Sequence, residues 1–521
     1  MNPTIPSLDP ALVDFAPDIR FRHPDRSRLL DPRTIDQLIP PDHPARTAWQ
    51  QVCALDLSGL LLGYKARVHH PGKPPIDVRV LVTLWLFATE EGIDSARRLS
   101  KLCRRDAPYR WICGDILVDY HTLSDFHIDH GDWLRSQCVA TVGTLHQDGL
   151  VGFDHVGQDG MKVRAAAGSD SMKTAPTLVE DLAAAEQKLQ TLEAKCQAKA
   201  SLPTGVESPE IHLCELEAKC QAKASLPAGV ESPEIPLREL EAKCQAKASL
   251  PGRRTKKEAA QLRGARDRCG RLRQAVAEIG PLAQTREERK KGDGATTRVS
   301  ETDPECRRMK MADGGFRPAY NIQFATDLDA LVVVGVETTN AGNDNGQLGA
   351  MQSQLMVDYA VAPKVCYVDG GFVTNEDIEA SARAGTTLYA PIKSEKKQLE
   401  KGGDPYARKQ GECDEVAAWR QRMSTPEGKA EYRNRGKTEW SNAQARRSGL
   451  DKVRVRGLKK VNTVVLWFVL MMTLLRGAKL RQQRAGTIPG AEESVPLAPV
   501  PEPGVERAAT PTEEPPVIGT G

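Results

Sequence analysis

The sequence predicts an α/β core that is split by a long helical insertion and preceded by an all-α region. Three observations carry this. Short apolar runs that lead into an acid and a glycine, at 150–160 and 364–372, have strand character. From residue 301 such runs alternate with helical patterns. Between 170 and 300 the unit Leu-Glu-Ala-Lys-Cys-Gln-Ala-Lys-Ala-Ser-Leu-Pro recurs, with Cys196, Cys220 and Cys244 marking a 24-residue period.

A chain of 521 residues can bury a sizeable core in more than one unit. Lys and Arg number 72 against 69 Asp and Glu, so net charge does not demand a nucleic-acid partner. Local clusters do invite one. Residues 446–460 hold Arg446, Arg447, Lys452, Arg454, Arg456, Lys459 and Lys460 against the single acid Asp451. The twelve cysteines form no CxxC pair and read as reduced cytosolic thiols. Residues 1–22 lack an apolar signal core. The apolar run 461–475 is short for a bilayer and reads as a buried core helix.

Residues 1–45 are rich in Pro and charge and are expected to be extended. From 46 to 149 the pattern is helical: an apolar helix at 78–89, a break at 92–95, a second helix to 103 and a third from 122. Short helices with basic faces suit a helix-turn-helix-like DNA reader, and equally a plain helical bundle. His121, His127 and His130 stand near Cys103 and Cys113 in sequence, at spacings that match no zinc pattern. The 150–160 strand carries Asp159 near its end, where burying an isolated acid is costly and implies a function. The rival is an Asp-Gly turn. Helices at 178–192 and 258–279 are expected to form an antiparallel arm around the repeats.

Further strands are expected at 318–326 and 331–339, joined across 327–329. Leu348, Met351, Leu355 and Tyr359 mark a helix face. A strand at 364–369 ends in Asp369, followed by a helix at 375–384 and a strand at 386–391. Residues 393–423 read as irregular. Ser424-Thr425-Pro426-Glu427 then starts a helix and Gly449 stops it. On a continuous helix Tyr432, Arg435, Glu439 and Arg446 share one stripe. That stripe is either an exposed ion pair, Arg435 to Glu439, or a metal-binding carboxylate flanked by phosphate-gripping guanidiniums.

Asp159, Asp369 and Glu439 thus fall at a strand, a strand end and a helix of one α/β unit. Open α/β sheets place ligand sites at strand ends. Converging carboxylates with no His or Cys favour Mg²⁺ or Mn²⁺, and a pair of such ions supports phosphoryl transfer.

These motifs resemble those of the DDE transposases of bacterial insertion sequences. Tyr432, Arg435, Glu439 and Arg446 are similar to the Tyr-(2)-Arg-(3)-Glu-(6)-Lys signature of one branch, with Arg in the final place. Asp369-Gly-Gly-Phe resembles its Asp-x-Gly-(Tyr/Phe) motif, and Gln158-Asp-Gly-Met-Lys-Val-Arg resembles its first-Asp motif. The likeness extends over about 20–165 and 300–475. The triplicated unit and Met471-Met472-Thr473 depart from the family pattern.

The resemblance implies an RNase H-like catalytic core, a mixed five-stranded sheet with helices, after an all-α N-terminal domain. The division is then 1–45 extended, 46–149 helical and DNA-binding, 150–169 the first core strand, 170–300 the insertion, 301–482 the rest of the core, and 483–521 a disordered tail. It implies a transposase that cleaves strands at the ends of its element and transfers them to target DNA. Asp159, Asp369 and Glu439 would be catalytic and would hold two Mg²⁺ (or Mn²⁺) ions. Tyr432, Arg435, Arg446, Lys162 and Arg164 would bind DNA, and Lys452 to Lys460 would add backbone contacts. The partners would be double-stranded DNA, as terminal inverted repeats and target, with a homodimer in the complex, no membrane, and a cytoplasmic, nucleoid-associated location. The rival readings are an inactive or repurposed transposase that only binds DNA, and a metal-dependent nuclease without strand transfer.

Overall fold

The computed structural model describes residues 29–30, 33–62, 74–200 and 255–485. Its centre is a mixed sheet of six strands: β1 His155–Arg164, β2 Arg307–Lys310, β3 Phe316–Asp327, β4 Val332–Thr339, β5 Val365–Tyr367 and β6 Thr387–Tyr389. The order is β6-β5-β1-β3-β2, and β4 also pairs with β3. β1 runs antiparallel to β3 and parallel to β5, and β5 runs parallel to β6. This is the RNase H-like arrangement that was expected, with one strand more. The addition is β2, which lies against the first residues of β3, while β4 takes the rest of the same edge.

Local chemistry sets the strand boundaries. β1 begins at His155, later than the sequence pattern suggests, because Phe153 takes a positive φ of 58°. The turn from β3 to β4 is closed by the Asp327 carboxylate, which accepts from the N–H groups of Ala330 (2.7 Å), Asp329 (3.1 Å) and Phe153 (2.9 Å). That carboxylate satisfies donors that a buried turn would otherwise leave unpaired.

The N-terminal helices are α1 Pro44–Cys53, α2 Val78–Glu90, α3 Ala96–Arg105, α4 Ala107–Cys113, α5 Tyr120–Asp129 and α6 Gly131–Gln147. They are not walled off from the sheet. One continuous apolar core includes Trp49, Trp85 and Leu134 together with Met161, Phe324 and Trp467. Residues 33–43, expected to be extended, instead fold against it, with Ile35 and Ile39 buried. His127 lies in this core, stacked on Trp85 at 3.7 Å between ring centroids. Burial pushes its pKa down to about 3. It is a core histidine, and no cluster of His, Cys, Asp or Glu able to hold a metal occurs among the described residues.

The insertion begins after β1. Helices α7 Ala175–Ala200 and α8 Lys256–Arg289 form an arm whose ion pairs run Arg266 to Glu193 and Arg273 to Glu186, so the helices are antiparallel as expected. At its base Met172 and Lys173 pair with Ser300 and Val299. The second and third repeat copies lie outside the described residues.

Downstream come α9 Gln347–Tyr359, α10 Asn375–Arg383, α11 Asp414–Ser424, α12 Pro426–Tyr432, α13 Glu439–Arg447 and α14 Leu458–Arg484. The span 393–423 is less irregular than its polarity suggests. It contains the turn of helix Glu395–Glu400 and α11, which buries Val416, Trp419 and Met423. α14 is the core helix anticipated from its apolar run, with 67% of its most apolar window buried inside the protein.

Candidate active site

Asp159 does not sit at a strand end. It lies in the middle of β1, opposite Phe324 of β3, and Gly160 continues the ladder against Gln323. The Asp-Gly turn is therefore excluded. Strand alternation puts Asp159 on the same face as Met161 and Val163, which are buried in the main core. Lys162 and Arg164 alternate with it, so the structure does not bring these two side chains beside Asp159.

Gly157 shows why the strand has this sequence. A Cβ there would overlap Thr438 Cγ2 and crowd Leu328. The close approach lets the segment carrying Arg435 lie directly on β1.

Asp369 follows β5 at its carboxyl end. The last rung of the β1–β5 ladder pairs Gly157 with Tyr367, and Asp159 and Asp369 each stand two residues beyond it. The parallel strands thus bring the two residues to the same level just past their last shared rung, and the charge of Asp369 reaches the Asp159 carboxyl. Asp369 is exposed and accepts from the Gly370 N–H at 2.8 Å.

Glu439 is also exposed, and its setting differs from the expected continuous helix. Thr425 caps α12 by accepting from the Gly428 N–H, with Pro426 in the first turn, as anticipated. The chain then tightens into a 3₁₀ segment, Arg433–Thr438, before α13 begins at Glu439. The run Arg433-Asn434-Arg435-Gly436-Lys437 has no apolar residue to hold an α-helical face, and tertiary contact decides its geometry. α13 stops at left-handed Gly449 (φ 78°).

The tightened turn aims Arg435 between two acids. One guanidinium nitrogen lies 3.4 Å from Asp159 Oδ1 and the other 3.8 Å from Glu439 Oε1. Asn442, one turn past Glu439, donates to Asp159 Oδ2 at 2.9 Å. The Gly160 N–H donates to Asp159 Oδ1 at 3.0 Å. Burial pushes the Asp159 carboxyl above its ordinary value. Arg435 and the Gly160 N–H pull it back, while the charges of Asp344 and Asp369 push it up.

Tyr432 is half-buried at the end of α12. Its hydroxyl is pushed up to about 12, by burial first and by Asp369 and Asp159 against the opposing pull of Arg435. Arg446 is exposed, about two turns beyond Glu439 on α13.

Two residues of this neighbourhood were not singled out from sequence. Asn442 carried no signal beyond its place one turn after Glu439. Asp344 sits in the loop between β4 and α9, where Asn321 and Gln323 each donate to its Oδ1 at 2.7 Å. Its carboxylate lies over Gly160, where any Cβ would overlap it. Only the β1–β3 pairing brings it there.

The donor set suits a hard divalent cation, since the ligands on offer are oxygens: the carboxylates of Asp159, Asp369 and Glu439 and the unpaired amide oxygen of Asn442. Asp159, partly buried and facing the like charges of Asp344 and Asp369, gains from a cation nearby. In this structure the guanidinium of Arg435 supplies that charge, and it competes for the oxygens of Asp159 and Glu439.

Two family models match the chain. A model described as Transposase domain (DUF772) matches residues 33–128, and one described as Transposase DDE domain matches residues 293–475. The chain belongs to the DDE transposases of insertion sequences. Asp369 and Glu439 fall within the second match, while Asp159 lies in the span between the two. Searches of curated proteins and of solved structures gave no match.

Proposed function

We propose that this transposase cuts DNA strands at the ends of its element and joins them to target DNA, with Asp159, Asp369 and Glu439 as the catalytic carboxylates. The observation that carries this is the shared level of Asp159 and Asp369 beyond the Gly157–Tyr367 rung, with Arg435 between Asp159 and Glu439.

The three acids would hold two Mg²⁺ or Mn²⁺ ions. When bound, these would supply Lewis-acid stabilisation of the phosphoryl oxygens and favour an ionised attacking oxygen. Water attacks the phosphorus at the element boundary, the P–O3′ bond breaks, and the element keeps a 3′-hydroxyl. That hydroxyl then attacks a target phosphodiester, forming one P–O bond as another breaks, so no oxidant or covalent protein intermediate is required. Arg435 is aimed to meet a phosphate oxygen as it leaves Asp159. Tyr432, kept protonated by its raised pKa, offers an O–H donor beside it. Arg446 would grip the backbone further along α13. Asn442 holds Asp159 in one orientation.

The test is incubation of purified protein with Mg²⁺ and a labelled fragment carrying the DNA ends that flank its gene, beside Asp369→Asn and Glu439→Gln. Nicking at the element boundary that both variants lose, with binding retained, supports the reading. Joined products separate a transposase from a nuclease. Binding without cleavage in Mg²⁺ and in Mn²⁺ moves the assignment to a DNA-binding protein descended from a transposase.

A further inference from the structure

The face of β1 opposite Asp159 carries a polar layer. Gln158 and Gly160 point to that face, and Gln323 and Asn321 stand on it across the ladder from Gly160 and Lys162. Gln158, Asn321 and Gln323 are each fully buried. Gln158 Nε2 donates to Gln323 Oε1 at 3.2 Å and to Gln347 O at 3.1 Å. Gln323 Nε2 is thereby left for Asp344 Oδ1, at 2.7 Å, and Asn321 Nδ2 donates to the same oxygen at 2.7 Å. Two oxygens of the layer, Gln158 Oε1 and Asn321 Oδ1, are buried without a partner. Leaving a buried acceptor unpaired is costly, so the layer is arranged around its carboxylate at the expense of its own hydrogen bonds.

Asp344 takes no counter-ion from the protein. Among the described residues no Lys or Arg forms an ion pair with it, and Lys162, opposite Asn321 on the same face, makes none. Neutral amides hold the carboxylate in place and leave its charge uncancelled. A partly buried charge without a counter-ion is unfavourable.

This placement accounts for Gly160. Any Cβ there would overlap Asp344 Oδ1 and Gln323 Nε2. Glycine lets the Asp344 carboxylate rest against the backbone of the residue after Asp159. The N–H of that same residue donates to Asp159 Oδ1 at 3.0 Å. One thickness of strand thus separates Asp344 from Asp159, and protein screens charge less than water does. The Asp159 carboxyl, raised first by burial and lowered by Arg435 and the Gly160 N–H, is raised again by the charge of Asp344.

We propose that Asp344 is a fourth acid of the centre, which ligates nothing and strengthens divalent-cation binding at Asp159 by its charge acting across β1. The inference rests on the three-carboxylate reading and adds to it a positioning residue from the reverse face of the sheet. The uncancelled charge of Asp344 then has its counter-ion in the cation held on the other side.

The experiment compares the wild type with Asp344→Asn, which keeps an oxygen for the two amide donors and removes the charge. Thermal melting checks the fold, and Asp344→Ser repeats the measurement if the asparagine variant does not fold. Mn²⁺ and Tb³⁺ affinities are read by titration calorimetry without DNA, with Asp369→Asn as the control. Asp344→Asn should weaken Mn²⁺ about five- to tenfold, the order of one unit charge acting on a divalent cation at short range. Coulomb energy scales with the charge of the ion, so the loss for Tb³⁺ should be about 10- to 30-fold. A purely structural role would weaken both ions alike, so equal losses overturn the proposal. Unchanged affinity in a folded variant, where Asp369→Asn abolishes binding, overturns the proposal alone. Binding that Asp369→Asn leaves unchanged, or a wild type that binds neither ion, overturns the three-carboxylate reading and the proposal with it.

Discussion

Asn442 Nδ2 donates to Asp159 Oδ2 at 2.9 Å, joining the first turn of α13 to the middle of β1. The bond crosses from an element set by local helix signals to one set by long-range pairing. It fixes the direction in which the partly buried carboxylate presents its other oxygen.

Asn442→Ala should therefore lower strand cleavage by about 10–100-fold, the usual cost of losing a partner that orients a metal-binding group. Duplex affinity should stay at the wild-type value, and stability should fall by about 1 kcal/mol. Single-turnover nicking and equilibrium binding on the same preparation check both. Cleavage at the wild-type rate would remove Asn442 from the site.

Gly157→Ala should destabilise the protein by about 1–3 kcal/mol through overpacking against the 3₁₀ segment. Thr438→Ser removes the methyl group that a Cβ would meet and keeps the hydroxyl that donates to Arg435 O at 2.7 Å. Combined with Gly157→Ala it should recover part of the loss. Chemical denaturation of the single and double variants measures this coupling. Simple additivity would mean the strain lies at Leu328 instead.

Arg435→Gln should bind Mn²⁺ more tightly, on the order of tenfold, because a competing cation worth ~1.5 kcal/mol is gone from a partly buried carboxylate. Cleavage should fall in the same variant, since the guanidinium is also the phosphate ligand. Titration calorimetry with Mn²⁺ reads the first effect without reference to activity. Weaker metal binding would show that Arg435 organises the acids rather than competing with them.

Asp303 supplies the pH dependence. It is 1% exposed, accepts from the Tyr320 hydroxyl at 2.8 Å and from the Gly457 N–H at 3.1 Å, and is pushed by burial above its ordinary value. The folded protein thus holds this proton more tightly than the unfolded chain. Stability from this group is intact below the unfolded carboxylate value and is lost as pH rises through the raised one. Asp303→Asn keeps an acceptor without the charge. Its melting temperature should gain on the wild type as pH rises from acid to neutral. A gap that narrows instead would show that ionised Asp303 is stabilised by its neighbours.

The sequence resolved what local chemistry controls. Thr425-Pro426 and Gly449 marked the bounds of the Glu439-bearing segment, and the glycines after Asp369 marked a strand end. The placement of Asp159 within its strand was not readable, because Asp-Gly is also a turn and only pairing with β3 excludes one. The 3₁₀ break at Arg433–Thr438 was hidden because contact with Gly157, not propensity, tightens it. Asp344 and Asn442 were invisible for a related reason: each gains meaning from a strand distant in the chain. The union of the helical region with the sheet through α14 also followed from long-range packing, which no composition boundary reveals.

The arm bears on how such a chain can change over generations. Its two helices are clasped near the sheet by the Met172–Ser300 and Lys173–Val299 rungs and further out by Arg273–Glu186 and Arg266–Glu193. The first copy of the repeated unit starts within α7 at Leu192 and includes the clasp residue Glu193, and the second and third copies enter the sequence beyond the clasps, between α7 and α8. Each doubling of a tethered loop costs only about 0.6 kcal/mol in closure entropy. Copying errors that lengthen the gene at this point leave the spacing of β1 and β3 untouched. Three near-identical copies can therefore accumulate in a lineage without any toll on the chemistry.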